Sequence, residues 1–141
     1  MPVVRSARTL WEGSLAEGHG SVSFLSSGLP DGHVSWQARA TRSNGATSPE
    51  ELLAAAHSAC FSMALSNALT RAGTPPRAID AGAEVAFQPG VGITGIRLVV
   101  RASVPGISAE EFAAAAELAR THCPVSQALA QTTITLEAVL E

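Results

Sequence analysis

Aromatic residues and cysteine are both scarce in this chain: of 141 residues, four are Phe, two Trp, two Cys, and none is Tyr. So few aromatics leave no stacking platform for nucleobases. Basic residues form no cluster and the formal net charge is −3, which excludes nucleic acid and anionic membrane as expected partners. The N-terminus carries Arg5 and Arg8 but no apolar signal region, and no stretch reads as a membrane span, so the chain is expected in the cytoplasm. Repeats, linkers and low-complexity tracts are absent too. What is present is 46% apolar residues, ample for the core of one domain over residues 1–141.

The first forty-odd residues read as strands, at Val3 to Glu12, Ser21 to Ser26 and His33 to Arg42, separated by glycines and a Pro30-Asp31-Gly32 turn. In the third, Val34, Trp36, Ala38 and Ala40 alternate with Ser35, Gln37, Arg39 and Thr41, which places Arg39 on the polar side of a strand. Ser48, Pro49 and Glu51 then form a capping-box signature for a helix reaching about Arg71, where Gly73 and Pro75-Pro76 stop it. Ile79 to Gln88 and Ile93 to Val104 read as a hairpin around Pro89-Gly90. Ser108 with Glu111 opens a second helix to about Thr121, Pro124 breaks it, and a short helical turn and a final strand, Thr133 to Leu140, follow. Strands, helix, strands, helix and strand make an α+β fold.

In a cytoplasmic chain two thiols are used for chemistry or metal more often than as a permanent staple. Cys60 lies deep in the first helix and Cys123 at a helix break between His122 and Pro124. Cys60 taken alone reads as a small buried apolar residue on a helix. For reactivity it needs a nearby cation or donor, because the helix dipole does not reach three turns in. Arg39 is the candidate, although its pattern also fits a solvated sheet face. Glu51 is explained by the cap, which leaves Glu50 free for a further task. Ten residues separate Glu50 from Cys60, about 15 Å of helix rise, so the two meet in one site only if a second copy of the chain supplies one of them. His57, Cys60, His122 and Cys123 form a rival, weak zinc set with no CxxC pair.

The run TSPEELLAAAHSACFSMAL (47–65) and CPVSQAL (123–129) closely resemble the osmotically inducible protein C branch of the OsmC/Ohr family. Trp11-Glu12-Gly13, Pro105-Gly106-Ile107 and Ile134-Thr135-Leu136 extend the likeness over essentially the whole chain. Ser48 stands where the family usually has Asn, and either residue caps a helix. The sister branch typically has Gly-Tyr and Tyr where this chain has Ala56-His57 and Val125.

The resemblance implies curved antiparallel sheets wrapped around two central helices in an intertwined homodimer. It implies a thiol-dependent peroxidase acting on organic hydroperoxides, and more weakly on hydrogen peroxide, with no metal or organic cofactor. Cys60 matches the peroxidatic cysteine, Cys123 the resolving cysteine, Glu50 the active-site glutamate and Arg39 the catalytic arginine. The implied reductant is a dithiol, with a lipoylated protein as family precedent. A zinc-binding or non-catalytic α+β dimer that uses Cys and His structurally is the alternative.

Overall fold

All of residues 1–141 are described by the structure, a computed structural model. They form two compact units, residues 1–52 and 53–141. The division falls within one long helix, Pro49–Arg71.

In the first unit β1 (Arg8–Glu12), β2 (His19–Ser23) and β3 (Gly32–Val34) form an antiparallel sheet in that order. The β1–β2 turn closes on Gly18, whose N–H donates to the Ser14 carbonyl at 2.8 Å. An added Cβ there would lie 2.3 Å from that same oxygen, so only glycine fits. The first two strands are shorter than the sequence suggests, and the third ends at Val34.

The remainder of the expected third strand is a helix, α1 (Trp36–Ala40). Arg39 therefore sits in a helical last turn, which corrects its assignment to a strand. The Ser35 hydroxyl accepts the Ala38 N–H at 3.1 Å and caps the helix start. Behind that cap, Gln, Ala and Arg are strong helix formers. Alternating Ala positions suit a strand face and a helix turn equally, so the cap decides.

The Thr47 N–H donates to the His33 carbonyl at 2.6 Å and Thr47 bridges Val34, which fixes where α2 (Pro49–Arg71) begins. Its cap is half of the expected box. Ser48 Oγ accepts the Glu51 N–H at 3.1 Å, while the Glu51 carboxylate accepts the Thr47 hydroxyl instead of returning to the Ser48 backbone. With 23 residues and a mean hydropathy of 1.3 over its most apolar window, α2 is long and apolar enough to cross a membrane by length and composition. That overturns the expectation that no stretch approaches a span. Summed alanines raise the hydropathy of this helix, while only the stripe through Phe61, Leu65 and Leu69 is fully buried.

In the second unit β4 (Ala78–Gln88) and β5 (Gly92–Ser103) form the expected hairpin. β6 (Ile134–Leu140) pairs with the other edge of β5, and this pairing is parallel, a departure from purely antiparallel sheets. Its cause is the connection: α3 (Ala109–His122) and α4 (Pro124–Ala128) lie between β5 and β6 and return the chain to the start of the sheet. The Ser108 capping box at the start of α3 is complete.

The core of this unit is a stripe on α2. His57, Phe61, Leu65 and Leu69 are all 0% exposed, spaced four apart so that they stack on one helix face. The apolar three join Leu98 and Val100 of β5 and Phe112, Ala116 and Ala119 of α3 in one cluster. Leu65→Ala is expected to cost about 2–5 kcal/mol, read as a lowered urea midpoint with an unchanged slope. A loss well under about 1 kcal/mol would mean that the stripe is not tightly packed.

Candidate active site

Two pairs of the expected residues are brought together, one in each unit. In the first unit Arg39 grips Glu50 through a fork: Nε lies 3.0 Å from Oε1 and 3.2 Å from Oε2, and Nη2 lies 3.0 Å from Oε2. Such planar two-point contacts fix the guanidinium in orientation as well as position. Glu50, in the first turn of α2, is buried, whereas a third of the Arg39 side chain remains exposed. Beside it lies an apolar pocket of about 560 Å³ whose walls include Trp11, Trp36, Leu15 and Val22.

In the second unit Cys60 and Cys123 lie near each other with no bond between their sulfurs. Cys60 is half-buried, flanking the stripe of α2, and Cys123 is fully buried. The position of Cys123 follows from Pro124. Proline excludes its predecessor from helical ψ, and Cys123 has ψ 124°, so α3 ends there and α4 restarts in a new direction. Burial pushes the Cys60 thiol up, the Cys123 thiol adds to this, and the Val125 N–H bonded to the sulfur pulls the other way. No cation is among these influences. Cys60 opens on a groove of about 800 Å³ lined mainly by apolar side chains, among them Ala56, Ala59, Met63, Leu118 and Pro124.

Each histidine of the zinc alternative has one ring nitrogen in a polar contact. His57 Nε2 shares a 2.7 Å hydrogen bond with Ser126 Oγ, and His122 Nδ1 lies 2.9 Å from the Leu118 carbonyl. No three His, Cys, Asp or Glu side chains are grouped to hold a metal ion.

A family model described as OsmC-like protein matches residues 42–138. Peroxiredoxin OsmC of Escherichia coli (strain K12) is 41% identical over 132 residues, 92% of each chain. The chain belongs to the OsmC-like family. Among solved structures, the OsmC-like protein from Mycoplasma pneumoniae matches with a TM-score of 0.76 at 15% identity over 99% of both chains. The organic hydroperoxide resistance protein OhrB of Bacillus subtilis matches with a TM-score of 0.70 at 22% identity, over 96% of this chain and 98% of that one. These two show that the α+β fold is that of OsmC-like proteins. The family match includes Glu50, Cys60 and Cys123 and begins just after Arg39.

Sequence reasoning weighed His57 as a metal ligand and as a mark of the branch, and gave Ser126 no role. A signal was available: Ser126 follows Cys123 by three positions, as His57 precedes Cys60 by three. The imidazole is fully buried, its Nδ1 has no partner, and burial pushes its pKa below the usual 6.5. The unfolded chain therefore takes up this proton more readily than the folded one. Its contribution to stability is complete above about pH 6.5 and is lost as pH falls below that value. The urea midpoint of the OsmC-like chain is thus expected to fall between about pH 7.5 and about pH 5.5, and to fall less in His57→Gln. Equal losses in the two proteins would assign the acid sensitivity to other groups.

Proposed function

We propose that this OsmC-like chain is a cysteine-based peroxidase that reduces organic hydroperoxides, and hydrogen peroxide more weakly, through a sulfenic acid on Cys60 and a disulfide between Cys60 and Cys123. The observation that carries this reading is the thiol pair itself: a half-buried Cys60 facing an apolar groove, with a buried Cys123 in reach at a helix break. The names of the relatives, peroxiredoxin OsmC and organic hydroperoxide resistance protein, point to the same reaction.

The Cys60 thiolate attacks the terminal, OH-bearing oxygen of the hydroperoxide and the O–O bond breaks. The alcohol leaves after protonation, and the sulfur keeps one oxygen as sulfenic acid. Cys123 then attacks that sulfur, and an external dithiol reduces the resulting disulfide by exchange. The apolar groove suits the carbon chain of an organic hydroperoxide better than a small hydrated peroxide. A lipoylated protein is the reductant that family precedent favours, and the cytoplasm, where such dithiols are kept reduced, is the compartment.

The raised pKa of Cys60 leaves a requirement for positive charge, and the Arg39 guanidinium, held in orientation by Glu50, is suited to meet it. Arg39 stabilises both the thiolate and the charge developing on the departing oxygen, and Glu50 holds the guanidinium in place. Ten residues of α2, about 15 Å, keep Glu50 from the Cys60 of its own helix. The Arg39–Glu50 pair therefore comes from a second copy of the chain, in a homodimer. Exposed apolar side chains near the thiol, Met63 at 72% and Leu118 at 52%, support a partner surface there. A partner laid across the open groove converts it to a channel.

Cys60→Ser is expected to abolish hydroperoxide consumption, since a serine hydroxyl neither ionises appreciably nor forms a sulfenic acid. Cys123→Ser is expected to consume one equivalent of cumene hydroperoxide and then stall with Cys60 as sulfenic acid or a higher oxide. Peroxide consumption assays with mass spectrometry of both variants check this, and wild-type turnover by Cys60→Ser would sink the enzymatic reading.

The composite site is tested by complementation. Co-refolding Cys60→Ser with Arg39→Ala is expected to restore part of the activity, because heterodimers carry one intact site. Demonstrable heterodimers as inactive as either parent would place the whole site within one chain.

A further inference from the structure

The thiols are one of two contacts joining the same pair of segments. His57 and Cys60 are three residues apart on α2, and Cys123 and Ser126 are three apart across the start of α4. Cys60 meets Cys123, and His57 Nε2 meets Ser126 Oγ at 2.7 Å. A three-residue step on a helix is about 4.5 Å of rise, so the segments pass antiparallel with two rungs in register, one of sulfur and one of nitrogen and oxygen. We propose that His57 and Ser126 are positioning residues for disulfide closure, the polar rung holding the start of α4 in the register from which Cys123 attacks oxidised Cys60. This rests on the peroxidase reading above.

Closure has demanding geometry. A disulfide needs its Cα atoms within about 7 Å and a torsion near a right angle. The segment that must meet these terms is a five-residue helix behind a proline break, and alone it has little to define its place. The polar rung supplies the definition. Both partners are buried, His57 at 0% and Ser126 at 4% exposure, so water does not compete for the bond, and breaking it would strand two polar groups in the interior. A neutral imidazole satisfies the bond in either tautomer, and burial keeps the ring neutral. The unpartnered Nδ1 is a cost of placing a histidine at this buried position. Residues 57 and 61 continue the same buried stripe, and only the first carries a polar atom across to α4.

During closure the sulfur of Cys123 forms a bond to the sulfur of Cys60, and the S–O bond of the sulfenic acid breaks. The OH group departs as water with the proton given up by Cys123. The oxidising equivalents come from the hydroperoxide that made the sulfenic acid. The rung acts on the approach of Cys123 and not on the earlier attack of Cys60 on peroxide.

That separation makes the test. One equivalent of cumene hydroperoxide is mixed with wild type, Ser126→Ala and Ser126→Thr, and sulfenic acid formation and disulfide closure are timed separately, with dimedone to trap open sulfenic acid. Ser126→Ala is expected to form sulfenic acid at the wild-type rate, to close the disulfide about tenfold more slowly, a change of the size a lost buried hydrogen bond produces, and to yield more dimedone adduct on Cys60. Ser126→Thr, which keeps the hydroxyl, is expected to restore closure. Closure at the wild-type rate in Ser126→Ala overturns the proposal, and so does equal slowing of both steps, the mark of a general packing defect. His57→Gln gives the same comparison if Ser126→Ala does not fold. Closure driven by diamide, a thiol oxidant that needs no peroxidase chemistry, is timed in parallel. Wild type that ignores peroxide yet closes with diamide faster than Ser126→Ala refutes the peroxidase reading and upholds the rung; equal diamide rates refute the rung.

Discussion

The four-residue stripe along α2 is the constraint on which the rest of the second unit depends. His57, Phe61, Leu65 and Leu69 fix the rotation of the helix about its own axis, because three of them fill the space between β5 and α3. Once that rotation is set, Cys60 has no freedom to be either central or peripheral. It falls beside the stripe, half in the core and half on the groove. A one-residue shift in the apolar pattern would turn the sulfur by about 100°, into solvent or away from Cys123. Packing thus decides the reach of the thiol before any question of its acidity arises.

Proline determines the other half of the site. Without Pro124 the Ala-rich α3 would have every reason to continue, and position 123 would point wherever the helical period sent it. The break gives Cys123 an extended conformation at the joint of two helices, where its sulfur is buried near Cys60 of α2 and the Val125 N–H turns toward Cys60. The first unit uses a related device. Its short capped helix, and not a strand, carries Arg39 to the buried carboxylate at the start of α2.

Much of this was legible in the sequence, for identifiable reasons. Ser48-Pro49 and Ser108 with Glu111 state where helices begin, Pro124 where one ends, and Pro89-Gly90 where a hairpin turns; each is a local signal with a local cause. The thiol motifs and the Glu50 position were legible by resemblance. Two kinds of feature were not. The helix at Trp36–Ala40 is only five residues long, shorter than any periodicity can resolve, and its small residues alternate as a strand would. The direction of β6 and the meeting of His57 with Ser126, 69 residues apart, are set by tertiary structure, and nothing local at either end announces them.

The unequal burial of the two sulfurs has a consequence for the order of events. A reagent arriving from solvent meets Cys60, which borders an open groove, and finds Cys123 enclosed at 0% exposure. In the proposed reaction, enclosure shields the second thiol from the oxidant that the first intercepts, so the electrons of Cys123 are reached only through the sulfur of Cys60. The two thiols are therefore asked to react in series. Steric access enforces that sequence without requiring any difference in their intrinsic reactivity, and it spares the enclosed cysteine the irreversible higher oxides that a freely exposed pair would accumulate.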